Sequence, residues 1–241
     1  MTRTRARPPV SAAAVRRALD TVRDPELDEP VTDLGFVSGT GVDEDGTVTV
    51  DLRLPTYFCA PNFAFLMVAD ADDALRALPG VAGVRVRLLD HFASEEINAG
   101  VAAGHGFGAS FPELAEGELE ELRRTFRRKA HEAGQELVAS TLLAGGADHA
   151  ELLSLRLGDL ADRVPASDLG RLRRRRADLG LPSDATAPLL VDGSGAALTE
   201  EELPIRLRLA RTTRISIEGN AGWCRGLLRT RYGKEGQSPP G

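Results

Sequence analysis

The chain reads as an α+β protein: a small three-stranded (or slightly larger) sheet with helices on one face, followed by a mainly α-helical second domain. Three observations predict this. Val48, Val50, Leu52 and Leu54 alternate with Thr47, Thr49, Asp51 and Arg53, which is the period of a half-buried strand. From Phe63 to Leu78 the apolar residues instead recur at helical spacing. Beyond residue 110, charged helical runs dominate. A chain of 241 residues exceeds the usual size of one domain, so two are expected, at 10–110 and 111–241.

Ser11 suits an N-cap, and Val15, Leu19 and Val22 follow at helical spacing before Asp24-Pro25 stops the first helix. Thr32-Asp33-Leu34-Gly35 turns the chain into a strand over Phe36 to Val42. Asp43 to Gly46 then makes the turn of a hairpin whose second strand is the alternating segment. Pro55 cannot donate to a sheet ladder and Pro61 suits a first helical turn, so Thr56-Tyr57-Phe58-Cys59-Ala60 is a strand-to-helix loop. The helix after it ends at Pro79-Gly80. Val84, Val86 and Leu88 alternate with Arg85 and Arg87 in a third strand that runs into Asp90-His91-Phe92, and a helix follows from Ser94 to Ala103. Packing the helices on one face of the sheet is the economical arrangement.

Cys59 is one of two cysteines, and it stands just before a helix N-terminus. Unpaired N–H groups and the helix dipole favour a thiolate there, the form that binds metal or attacks an electrophile. A buried structural cysteine is the alternative, and spacing alone does not choose between them. His91, directly after the third strand, is the nearest candidate to complete a metal site or hold a proton, set against a hydrogen-bonded histidine at a strand end. The second cysteine, Cys224, follows the sole Trp in the Gly-rich run Gly219 to Gly226, where structural and functional readings both stand.

Composition narrows the setting. The first 110 residues carry 10 Lys/Arg against 16 Asp/Glu and the remainder 20 of each, so the net charge of -6 lies in the first part, which argues against a nucleic-acid groove there. Two distant cysteines make no secreted disulfide framework. Arg3, Arg5 and Arg7 lead into Pro8-Pro9 rather than an apolar leader, so a cytoplasmic, reducing setting is expected. The longest apolar stretch, Phe63 to Ala69, is too short to span a bilayer.

Three motifs in one register carry a family resemblance: Asp24-Pro25-Glu26-Leu27, then Val31-Thr32-Asp33-Leu34-Gly35-Phe36-Val37, then a strand ending in Thr-x-x-Cys at Thr56 and Cys59. Together they resemble the SufT/PaaD-like metal-sulfur cluster assembly domain over roughly residues 10 to 105. The resemblance implies a small α+β domain that helps to assemble or deliver iron-sulfur clusters, with Cys59 as the reactive residue and Asp33 and Thr56 as motif neighbours. The family usually has Pro directly after the cysteine, whereas here Ala60 intervenes before Pro61. A cluster is commonly held by four thiolates, so Cys59 alone cannot close a site. Two copies of the chain, each giving Cys59 and Cys224, supply four, with His91 as a further candidate ligand. The iron or iron-sulfur cargo is expected to be held transiently.

In the second part, Leu114, Leu119, Leu122, Phe126 and Ala130 share a helical face starting after Phe111-Pro112, with an interruption expected near Gly134 and an end at Gly145-Gly146. Further helices are expected over Asp148 to Leu157 and Ser167 to Leu179. The Arg171 to Arg176 cluster reads as a solvated face, and His131 and His149 as solvated side chains. A short hairpin is expected from Leu189 to Leu198, and Thr199 to Glu202 forms a capping box for a closing helix. His105, between Gly104 and Gly106, sits in a connector. The run from Glu151 to Tyr232 resembles the catalytic half of tyrosine recombinases only faintly, because the His-x-x-Arg signature is missing. A resemblance to extended assembly proteins encoded near soluble di-iron monooxygenases implies that the second domain docks a client metalloenzyme or its chaperone. The expected function is therefore metal-cofactor assembly or delivery without enzymatic turnover. Its rivals are a thiol enzyme with Cys59 as nucleophile and His91 as base, and a metal-free scaffold for a monooxygenase or its chaperonin. No nucleic-acid or membrane partner is expected.

Overall fold

A computed structural model describes residues 10–111 and 118–233. Arg3, Arg5, Arg7, Pro8-Pro9, Pro112 and Leu114, which entered the sequence reading, lie outside them. The chain divides into two units: residues up to Leu119 together with those from Asn220 onward, and Glu120–Gly219 between them. The sequence boundary near residue 110 thus leaves out a late contribution to the first unit, which the last turns of the final helix supply.

In the first unit, α1 (Ala12–Leu19) begins at Ser11, whose side chain accepts from the Ala14 N–H. The strands β1 (Val37–Val42) and β2 (Thr47–Arg53) are antiparallel, and β3 (Gly83–Leu89) lies parallel to β2, giving the order β1-β2-β3. A parallel neighbour needs a crossover, and α2 (Pro61–Arg76) provides it. The alternation of β2 is realised: Val48, Val50 and Leu52 are buried, and Val48 pairs with Val84, Val50 with Val86 and Leu52 with Leu88. Each such side chain contributes about 1.5–3 kcal/mol by leaving water. On the wet face Arg87 grips Asp51 of the neighbouring strand with two parallel hydrogen bonds of 2.6 and 2.8 Å. The helices α3 (Ser94–Ala102) and α4 (Phe107–Ser110) complete this part. His105 is exposed between them, in the turn that Gly104 makes at φ 69°.

The second unit is largely helical, as expected. The helix α5 (Glu118–Ala144) runs through Gly134 without the interruption read from the sequence. The Arg175 guanidinium lies over Gly134, and a Cβ there would make it shift. The helix α6 (His149–Ser154) is capped by Asp148, and α7 (Ala166–Asp178) follows a short 3-10 turn. The expected hairpin is reduced to one bridge, Val191 to Ala197, its turn closed by Asp192 accepting from Ser194 and Ala196. Thr199 and Glu202 exchange the hydrogen bonds of the capping box ahead of α8 (Leu203–Tyr232).

Two expectations of solvated side chains fail in this unit, for one reason. Leu169, Leu172 and Arg176 are spaced three and four apart, so Arg176 shares the buried stripe of α7 and is 0 % exposed. Its guanidinium is satisfied without a carboxylate. It donates to the carbonyls of Pro182, Pro188 and Leu189, to Gln135 Oε1 and to His131 Nε2. His131 is therefore buried as well, and burial first, then the charges of Arg176 and Arg175, push its imidazole down to about 3. His149 is exposed, as read.

Candidate functional site

The site gathers at the end of the sheet where β2 and β3 both finish. After β2 the chain makes the turn Pro55 to Phe58, presents Cys59, and enters α2 through Ala60 and Pro61, which needs no N–H donor at its position. After β3, Asp90 takes a left-handed conformation (φ 53°), which turns His91 inward beneath the cysteine loop. His91 is 3 % exposed, with Nε2 2.7 Å from the Cys59 carbonyl oxygen and Nδ1 accepting from the Ala93 N–H at 3.2 Å. A carbonyl can only accept, so Nε2 carries the proton and both ring nitrogens are engaged. Burial, then the nearby Arg231 charge, lowers the imidazole pKa, while the bond to Cys59 acts the other way. The Phe92 N–H closes a second link between the two loops by donating to the Tyr57 carbonyl at 3.2 Å.

The last turns of α8 lie across these loops. Ala221 is buried in the core of the first unit, and Cys224 and Leu228 pack against that core, as does Cys59. Asn220 donates to Glu26 at 3.3 Å and Arg225 pairs with Glu29, both acids belonging to the loop after Asp24-Pro25. Arg231 donates to the carbonyls of Leu54 (3.2 Å) and Asp90 (2.6 Å), tying the ends of β2 and β3 to one side chain. Arg53 and Arg231 sit over the ring of Tyr232, 4.9 and 5.1 Å from its centre. Gly35 adopts φ 79°, and a Cβ there would come within 3.2 Å of Leu228 Cδ2, which accounts for the glycine of the second motif.

This packing sets both cysteines against one core. Both thiols are free and half-buried. Burial pushes Cys59 up to about 12, with the charges of Asp24 and Cys224 adding to it. The Ala60 N–H pulls the other way, which is the helix-terminus effect expected from the sequence, but it is outweighed. Burial first, then Asp24 and Glu26, holds Cys224 at about 11. Burial thus favours the neutral thiol at both positions. Asp24, 6 % exposed, accepts from the Glu26 and Leu27 N–H groups at 2.9 Å each, yet burial still raises its carboxyl to about 6.

Of the other motif residues, Asp33 is exposed, with its N–H donating to the Pro30 carbonyl, and Thr56 is half-buried at the start of the cysteine loop. Asp24 escaped the sequence reading as a site residue. The signal was available, since an acid followed by Pro and two open backbone donors is an Asx-turn. Among the described residues no three His, Cys, Asp or Glu side chains are grouped to hold a metal. None of the described helices is long and apolar enough to cross a membrane.

Fold and site define a small α+β domain that presents a thiol between a strand and a helix. Residues 12–87 match the iron-sulfur cluster assembly protein family. An uncharacterized protein of Methanocaldococcus jannaschii, MJ1129, is 32% identical over 89 residues, which are 37% of this chain and 92% of that protein. Iron-sulfur cluster carrier proteins of Mycobacterium bovis and Mycobacterium tuberculosis are 37% identical over 76 residues, 32% of this chain and 19% of theirs. The chain thus spans about a fifth of the length of those carriers. No solved structure matches it. The chain belongs to the iron-sulfur cluster assembly family, with the remainder forming a helical extension.

Proposed function

We propose that the protein delivers an iron-sulfur cluster, or iron, to a client metalloenzyme, with Cys59 and Cys224 of one chain as its ligands. The observation that carries this reading is that the last turns of α8 pack Cys224 on the same core as Cys59, both thiols half-buried and close enough for the charge of Cys224 to act on Cys59. Two thiols are enough to hold a cluster by one edge and too few to enclose it, since a [2Fe-2S] cluster takes four. The open coordination positions are where a client's own cysteines enter. The carboxylates of Asp24 and Glu26 face the two thiols, and their charge favours a cationic cargo over an anionic substrate.

A nucleophilic role for Cys59 finds less support. A nucleophile needs a depressed pKa and a base with a free nitrogen, whereas here burial raises the thiol and His91 uses both nitrogens in holding the loop. Nothing among the described residues selects a di-iron monooxygenase over other clients.

The test is transfer. The full chain, loaded with a [2Fe-2S] cluster under anaerobic conditions, is mixed with an apo-ferredoxin and followed by visible circular dichroism. The reading predicts transfer that persists in the presence of an iron chelator and is lost in Cys59→Ala. Transfer that the chelator abolishes in the wild type would mean release into solution rather than delivery.

A further inference from the structure

Three aromatic side chains crowd the cysteine loop and remain in water. Phe58, next to Cys59, is 78 % exposed, and Tyr57 and Phe92 are each 47 % exposed. Their rings form one cluster, with centroids 5.0 Å apart for Tyr57 and Phe58, 6.3 Å for Tyr57 and Phe92, and 6.2 Å for Phe58 and Phe92. The cluster is anchored from below by His91, whose ring lies 4.9 Å from that of Phe92, and by the Phe92 to Tyr57 backbone bond. An exposed apolar cluster on a tethered loop marks an interaction surface.

We propose that Tyr57, Phe58 and Phe92 are the contact surface for a second copy of this chain, engaged only while a cluster bridges the two. The inference rests on the proposed function, in which Cys59 and Cys224 ligate a cluster. Two thiols per chain leave a four-thiolate cluster half-coordinated, so the site is incomplete without two more. With metal–thiolate bonds of about 2.3 Å, a bridging cluster draws the Cys59 sulfurs of two copies to within on the order of 7 Å. At that separation Phe58, the residue beside each ligand, must pack against the other copy.

Area explains why the contact is conditional. An aromatic side chain offers on the order of 200 Å², so three at these exposures present on the order of 350 Å² per copy. A stable dimer buries about 800 Å² per partner. The aromatic surface alone falls well short of that, and the cluster's bonds supply the rest. Loss of the cluster then separates the copies, which suits a carrier that must let go.

The experiment uses the full chain in three forms: wild type, Phe58→Ser/Phe92→Ser, and Cys59→Ala. Each is reconstituted anaerobically with ferric iron and sulfide, and native mass spectrometry reads mass and cluster content together. In parallel, Co2+ is titrated and its thiolate charge-transfer absorption followed. The proposal predicts a monomeric apo-protein and a wild-type dimer holding one [2Fe-2S] per two chains. It further predicts a double-serine variant that binds Co2+ through its thiols within about twofold of wild type but forms at least tenfold less cluster-bridged dimer. A cluster-loaded wild-type monomer overturns the proposal and assigns the aromatic surface to another partner, while leaving the delivery reading intact. A constitutive apo dimer, or a double-serine variant that loads and dimerises like wild type, also overturns it. A wild type that takes up neither Co2+ nor cluster through Cys59 sinks both readings.

Discussion

The Nε2 of His91 lies 2.7 Å from the carbonyl oxygen of Cys59, so this histidine holds the backbone of the cysteine rather than its sulfur. This positions the cysteine loop and predicts the effect of removing the ring. His91→Ala takes the partner from a part-buried carbonyl, at a cost of about 1–3 kcal/mol, and frees the loop. Alkylation of Cys59 by iodoacetamide at pH 8 should become faster, because the thiol gains access to water. A histidine acting as base predicts the opposite, and slower alkylation would show that His91 activates the sulfur.

Asp24 sets a pH dependence of stability. In the fold it keeps its proton up to about pH 6, whereas its ordinary value is 3.8. Between those values the folded state binds more protons than the unfolded one. This contribution is therefore complete below about pH 4 and is lost as the pH rises through 6. The shift corresponds to about 3 kcal/mol at most. Urea unfolding at pH 4.5 and pH 7.5 should show Asp24→Asn losing less stability than wild type across that interval. Equal losses would mean that Asp24 is not the buried acid described.

The docking of the last turns of α8 depends on Gly35. Gly35→Ala forces a left-handed φ on a residue with a Cβ and presses that carbon toward Leu228, so destabilisation by about 1–2 kcal/mol is expected. Leu228→Ala should recover part of the loss in a double-mutant cycle, since it removes the contact and leaves the backbone strain. Strictly additive effects would show that Leu228 does not press on Gly35.

Arg176 is the keystone of the second unit. Its guanidinium donates to three carbonyls, to Gln135 and to His131, a set of acceptors that a lysine cannot serve. Arg176→Ala removes the donor from the Pro182, Pro188 and Leu189 carbonyls and from His131, while Gln135 keeps the Val191 N–H, and should cost about 3 kcal/mol. Hydrogen exchange should then rise throughout Glu120–Gly219 and much less over β1 to β3. Protection unchanged in the second unit would contradict its role.

Much of the first unit was legible because local pattern and tertiary role agree there. The alternation through Val48, Val50 and Leu52 and the Pro55 and Pro61 boundaries fix β2, the cysteine loop and α2 without long-range information. The pairing of Cys224 with Cys59 is raised by the sequence only through ligand number, and its place on the same core is not legible there, because only folding brings a distant helix back to the cysteine loop. A trace of it exists in the helical spacing of Ala221, Cys224, Leu228 and Arg231, which the glycines around Trp223 obscure. The thiol's raised pKa was missed because the sequence advertises a helix N-terminus but not the burial that outweighs it. Arg176 was read as solvated because charge was weighed above its position on the stripe of Leu169 and Leu172.

Iron and sulfide counting after anaerobic reconstitution of wild type, Cys59→Ala and Cys224→Ala tests most directly whether the two thiols form one site. The account predicts about one [2Fe-2S] per two wild-type chains, almost none in Cys59→Ala and a several-fold loss in Cys224→Ala. Full occupancy in both variants would contradict it.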